Sequence, residues 1–212
     1  MDQDECAEAR ATLARVAAAL NARNVPAQGL PPLILMTDDR RDADYVEAAG
    51  ALPSGSAVII RHRDAAQRAR LGQALAEIAM ARGSRCLIAN DVALAERIAA
   101  AGMHASEASI GEIAAWRARH PQWLITAAIH AKTPFALSGA NAALLGPVFA
   151  TSSHPGAAPL GVAGFDAIAK RAGLPVYALG GITSENAGRL AASRAAGIAL
   201  ISGWLRNRTS SR

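Results

Sequence analysis

Aromatic residues make up only 4% of this 212-residue chain, and cysteine occurs twice, at Cys6 and Cys86. So few thiols exclude a disulfide framework. Their spacing is neither CxxC nor that of a zinc site, and a reducing, cytoplasmic setting is expected. No apolar run approaches the ~20 residues needed to cross a bilayer, so no membrane partner is expected. The opening Met1-Asp-Gln-Asp-Glu is acidic where a secretory leader would be basic, which predicts a protein that is not exported. Also missing is a clustered basic stripe. The net charge is +5, but the arginines are scattered and not interleaved with aromatics, which argues against nucleic acid and for a small anionic substrate.

What is present is aliphatic. Hydrophobic residues reach 51%, with few aromatics among them, the composition of Ala-rich helices packed on buried parallel strands. The length suits a single domain over residues 1–212 and lies near the lower size limit of an eight-stranded α/β barrel. Strand-length apolar runs recur at Leu33–Thr37, Ala57–Arg61, Cys86–Asn90, Gly102–Ala105, Leu124–His130, Ala142–Phe149, Val176–Leu179 and Gly197–Ser202. Helical stretches separate them, at Ala43–Leu52, Ala65–Arg82, Asp91–Ala101, Ile110–Arg119, Thr133–Ser138, Val162–Ala172 and Ser184–Ala195. Strict alternation predicts parallel strands with right-handed crossovers, and eight units favour closure into a (β/α)8 TIM barrel over residues 33–203. An amphipathic helix carrying Leu13, Val16 and Leu20 precedes the first strand, within residues 1–24. The chain ends soon after the eighth strand in the polar Asn207-Arg-Thr-Ser-Ser-Arg, so the eighth helix is truncated. The extra N-terminal helix is expected to cover the gap beside strand eight.

In such a barrel, chemistry gathers at the C-terminal strand ends. There the sequence places Thr37 and Asp38, Arg61 to Arg63, Asn90 and Asp91, His104, His130, Thr151 to His154, Gly180 and Gly181, and Ser202. Gly180-Gly181 has no Cβ to block an anion, and Thr183 could cap a following helix whose N–H groups face that anion. Ser202-Gly203 ends the next run in the same way, and this pairing after strands seven and eight is where barrels commonly bind phosphate. Arg61 and Arg63, one residue apart on an extended chain, could fork around a pyrophosphate. Asn90-Asp91 could hold Mg²⁺ or could cap the helix beginning at Val92. His130 ends a long apolar strand, where an imidazole can shuttle protons. His104 reads as structural and His120 as exposed.

Taken together, Met36-Thr-Asp, Ile59-Ile-Arg-His-Arg, Leu87-Ile-Ala-Asn-Asp, Gly102-Met-His, Gly146-Pro-Val-Phe-Ala-Thr, Ala178-Leu-Gly-Gly-Ile-Thr and Ala199-Leu-Ile-Ser-Gly resemble the thiamine phosphate synthase/TenI family in order and spacing. The resemblance implies a TIM barrel of the synthase type acting on thiazole phosphate and, in synthases, on hydroxymethylpyrimidine pyrophosphate. It implies that Arg61 and Asn90 contact pyrophosphate, that Asp91 is a Mg²⁺ ligand, and that Thr151 and Ser153 supply hydroxyls of the strand-six loop. Gly180, Gly181, Ile201 and Ser202 match the thiazole phosphate cradle. The chain departs from the synthase pattern at Ile59 for a glutamine, Arg63 for a lysine, Ser109 for the second metal aspartate, Ala128 for a serine and His154 for the loop lysine. These departures favour a TenI-like thiazole phosphate tautomerase, with His130 as general acid/base, Arg61 and Arg63 beside it, and no cofactor. A divergent Mg²⁺-dependent synthase is the alternative, and a non-catalytic barrel binding thiazole phosphate or thiamine phosphate is a second. Each is compatible with a homo-oligomer.

Overall fold

The computed structural model describes residues 3–131, 137–151 and 158–205. Eight strands, β1 (Leu33–Met36), β2 (Ala57–Ile60), β3 (Arg85–Ala89), β4 (Gly102–Ala105), β5 (Leu124–Ile129), β6 (Ala142–Leu145), β7 (Val176–Leu179) and β8 (Ile198–Leu200), pair in sequence order into a closed barrel. Closure is parallel, with Leu33 opposite Ile198 and Leu35 opposite Leu200. The strands read as unbroken apolar runs because both faces are buried. Ile34, Met36, Ala57, Ile59, Leu87 and Leu144 fill the barrel interior, while their neighbours Leu35, Val58, Ile60, Ile88 and Leu145 pack outward under the helices. Tyr177 is fully buried in the interior, where its hydroxyl donates to the Pro31 carbonyl at 2.5 Å.

Helices α1 (Gln3–Asn24), α2 (Tyr45–Gly50), α3 (Ala65–Ala81), α4 (Val92–Arg97), α5 (Ile113–Arg119) and α6 (Gly161–Arg171) surround the strands. Asp44, Asp64 and Asp91 cap α2, α3 and α4, their carboxylates accepting from the N–H groups of Glu47, Gln67 and Leu94. Each cap fixes where a helix leaves the mouth of the barrel. α1 lies beside β8: Arg10 makes a two-pronged bond to Glu47 of α2 at 2.7 and 2.9 Å and donates from Nε to the Trp204 carbonyl at 2.9 Å. Asn21 and Asn24 donate to the carbonyls of Ala196 and Ala195, so the extra helix covers the strand that lacks a helix of its own among the described residues.

Several elements differ from the sequence expectation. The run expected to reach Phe149 leaves the sheet at Leu145, because Pro147 has no N–H to donate to a ladder. The helix expected from Ile110 opens instead as a 3-10 segment, Glu107–Glu112, before α5. The helix expected over Ser184–Ala195 is only a short 3-10 turn, Ala187–Leu190. Asn186 prevents a longer one by accepting from the Thr183 N–H and donating to the Gly181 carbonyl, and α1 occupies the carbonyls of Ala191, Ser193 and Ala195 through Arg23 and Asn24. Thr183 therefore caps no helix, and the helix dipole expected to face an anion there does not form. The helix expected at Thr133–Ser138 falls largely outside the described residues.

Candidate active site at the barrel mouth

A cavity of about 280 Å³ opens at the C-terminal ends of the strands. Met36, Ala89, Leu144, Leu179 and Ala199 give it an apolar floor. Arg61, Asn90, His130, Thr151, Gly180, Gly181, Ile201 and Ser202 all line it. Ser153 and His154 lie outside the described residues.

The wall formed after β7 and β8 consists of backbone. Gly180 and Gly181 have φ of +92° and +68°, a region that L-residues with a Cβ rarely adopt. A Cβ on Gly181 would lie 2.4 Å from the Ala150 carbonyl oxygen, and one on Gly180 would lie 2.8 Å from Pro147 Cα. Only glycine lets the chain pass this close to the β6 loop and still face the cavity. The N–H groups of Gly181, Ile182, Ser202 and Gly203 make no hydrogen bond to another described residue, so donors in this wall remain available to a ligand.

The adjoining wall, after β1 to β3, consists of side chains. Asp38 is buried and holds two guanidiniums: Arg40 donates to it from Nε at 3.1 Å and from Nη2 at 3.0 Å, and Arg61 Nη2 lies 3.4 Å away. Burial alone would raise the Asp38 carboxyl, but the Arg40 bonds and the charges of Arg61 and Arg40 outweigh it and keep the group ionised below its ordinary range. The two guanidiniums that line the cavity thus share this one carboxylate, with Asp39 also acting on Arg40. Arg61 Nε is buried without a hydrogen-bond partner among the described residues, an orphan donor of the kind that a bound anion would satisfy. The Arg61 N–H is fixed by Thr37 Oγ1 at 2.9 Å, and the same hydroxyl bonds His62 Nδ1. Asn90, at φ +55°, accepts the Ser106 N–H at 2.9 Å and so ties β3 to β4 at the rim.

Arg63 is not brought to the cavity. It lies beyond the end of β2 at Ile60, outside the cavity lining, and is exposed with its N–H on Asp39, so it does not flank an anion together with Arg61. Asp91 does not line the cavity either. Its Oδ1 caps α4 at Leu94 N–H, and its Oδ2 accepts from Arg68 Nε and Nη2 at 3.1 and 2.8 Å. Burial pushes this carboxyl up, while the cap and Arg68 lower it further, leaving it below its usual range. Ser109, at the second expected metal position, shares its hydroxyl with Ser106 at 3.3 Å. Among the described residues no three His, Cys, Asp or Glu side chains gather as metal ligands. One carboxylate with both oxygens engaged, together with a hydroxyl, does not fit a resident Mg²⁺.

His130 stands at the rim with Nδ1 2.8 Å from Glu107 Oε2, so a carboxylate orients the imidazole. His104 closes the floor, fully buried, its Nδ1 2.9 Å from Thr126 Oγ1. Burial, reinforced by the Arg61 charge, pushes its pKa down to about 3, so it is a neutral imidazole. Arg40 and Glu107 were not foreseen as site residues. Both sit in connections just past a strand, and their only sequence signal is proximity to the Asp38 and His104 strand ends.

A family model described as thiamine monophosphate synthase matches residues 33–204. The thiamine-phosphate synthase of Chromobacterium violaceum is 34% identical over 177 residues, covering 78% of this chain and 84% of that protein. That of Roseiflexus castenholzii is 31% identical over 183 residues, 80% of this chain and 79% of the relative. The solved thiamine phosphate pyrophosphorylase of Pyrococcus furiosus superposes with a TM-score of 0.66 at 23% identity, over 82% of this chain and 87% of that one, and shares its fold.

Proposed function

The chain belongs to the thiamine monophosphate synthase/TenI family, and from that premise we propose that it is a thiamine phosphate synthase-type transferase seating two phosphorylated heterocycles in one barrel mouth. The observation that carries this reading is the pair of anion-receptive walls facing one apolar-floored cavity. An isomerase acting on a single phosphate needs one such wall; a reaction that joins a phosphate ester to a diphosphate ester needs two. Thiazole phosphate would rest its phosphate on the glycine wall at Gly180, Gly181 and Ser202. Hydroxymethylpyrimidine pyrophosphate would place its leaving group against Arg61, Arg40 and Asn90. Departure of pyrophosphate leaves a pyrimidine cation, which the thiazole nitrogen captures. The two guanidiniums neutralise charge as it develops on the leaving oxygens, and each such preorganised group is typically worth about 2–4 kcal/mol of barrier. Thr151 and the rim amide of Asn90 would orient the departing group. The apolar floor keeps water from the cation.

Incubating the protein with both substrates and detecting thiamine phosphate by mass spectrometry tests the reading. Product formation that falls steeply in Arg61→Ala supports it. Absence of product, with both substrates shown to bind, overturns it.

The His130–Glu107 pair favours a second reading, the TenI-like tautomerase, in which a carboxylate-oriented imidazole moves a proton on a carboxythiazole phosphate. Isomerisation that persists undiminished in His130→Ala removes that reading. Binding of thiazole phosphate with neither reaction would identify a non-catalytic binder.

A further inference from the structure

We propose that the β1–β3 wall neutralises its diphosphate with guanidinium groups and no divalent cation, with Arg68 occupying the position on Asp91 that such a cation would otherwise take. The anion's identity rests on the reading above; its metal-free mode of binding does not.

Arg68 lies in the first turn of α3 and spends its donors on a built seat. Nε and Nη2 go to Asp91 Oδ2 at 3.1 and 2.8 Å, and Nη1 goes to the carbonyls of His62 and Arg63 at 2.7 and 3.1 Å. One side chain thus joins the segment after β2 to the segment after β3. The pair is largely shielded, with side-chain exposures of 18% and 25%, so its attraction is less screened than at an open surface. A cation arriving at Asp91 would have to displace this fork or sit beside a fixed positive charge, and either is costly. The remaining oxygen cannot compensate, because it caps α4. Ser109 offers no charge at the second position. Positive charge for a diphosphate is nonetheless present at the cavity: Arg40 and Arg61 line it, share one carboxylate, and leave the buried Arg61 Nε without an acceptor among the described residues. Guanidinium is suited to such a role by its planar fork and permanent charge.

The test is calorimetric titration of the full chain with inorganic pyrophosphate, in EDTA and in millimolar Mg²⁺. The wild-type protein is expected to bind in EDTA, with added Mg²⁺ tightening binding by less than about threefold, and Arg61→Ala is expected to lose about tenfold or more. Arg68→Gln unpairs Asp91 and is expected to create metal dependence, binding about tenfold tighter in Mg²⁺ than in EDTA. Wild-type binding that is absent in EDTA and restored by Mg²⁺, or absent in both, overturns the proposal. The wild-type comparison decides the matter even where Arg68→Gln folds poorly. Metal-free binding of pyrophosphate, with both substrates also shown to bind but no thiamine phosphate formed, would defeat the transferase reading and leave this proposal standing. Product formed with diphosphate held only in Mg²⁺ would do the reverse.

Discussion

The two walls of the cavity present donors by different means. After β7 and β8 the chain offers its own backbone, shaped by two glycines at positive φ and backed by the carbonyls of Phe149 and Ala150. After β1 to β3 it offers long side chains held by a buried carboxylate. A backbone wall is part of the fold and cannot be changed without disturbing it, whereas a guanidinium wall rests on the fold and can be edited. Stability and affinity should therefore be coupled on one side of the mouth and separable on the other.

The largest expected effect comes from Gly181→Ala. The added Cβ meets two carbonyl oxygens at 2.4 and 2.5 Å at a φ of +68°, so denaturant unfolding should show a loss of about 2–5 kcal/mol together with lost phosphate binding. An alanine tolerated there would show that the backbone wall is not the rigid part. Arg61→Ala should do the opposite. Pyrophosphate affinity, followed by calorimetry, should fall about ten- to a hundredfold, the equivalent of a charge-assisted bond. Unfolding midpoints should move less than in Gly181→Ala, because Arg40 still pairs with Asp38. Equal losses of stability in the two variants would erase the distinction between the walls.

The same contrast sets how much of the fold and the site is legible in the sequence. Barrel strands are buried on both faces, so their apolar runs, glycine stops and terminal polar residues are visible directly, and Arg61, Asn90, His130, Gly180 and Ser202 are legible because each closes such a run. Arg63 has the same sequence signal as Arg61 but lies past the end of β2 with its N–H held by Asp39, outside the cavity lining, and spacing alone does not show that. Arg40, Arg68 and Glu107 were missed because they approach from loops and a helix, and their partners, Asp38, Asp91 and His130, are fixed only once the barrel closes. Composition favoured a helix over Ser184–Ala195; Asn186 and the side chains of α1 decided otherwise, a tertiary override that local propensity cannot register.

Ionic strength separates the walls without mutation. Raising salt from about 0.05 to 0.5 M should weaken pyrophosphate binding about three- to tenfold, and should weaken binding of a monophosphate ester to the glycine wall less, because screening acts on net charge more than on aligned N–H dipoles. Parallel titrations of the two ligands check this, and identical salt slopes would count against assigning them to different walls.

The smallest effect concerns the floor between the walls. His104 is held neutral in the folded state with a pKa near 3, against 6.5 for an ordinary histidine, first by burial and then by the Arg61 charge. The unfolded chain takes up a proton as pH falls through 6.5 while the folded chain does not, so this contribution to stability is complete above that pH and is lost progressively as pH falls toward 3. The limiting slope is on the order of 1 kcal/mol per pH unit, and between about pH 6.5 and 5.5 the loss is smaller still. His62, also lowered chiefly by burial, acts in the same direction, so the informative comparison is wild type against His104→Gln, whose unfolding free energy should fall less steeply over that interval. Asp38 and Asp91 do not interfere, because their lowered values confine their losses to pH below about 4. Repeating the measurement in Arg61→Ala tells how far the guanidinium wall reaches inward. Burial leads among the causes, so most of the slope should survive; a slope that disappears with Arg61 would mean that charge at the rim, more than the dry barrel interior, keeps the floor neutral.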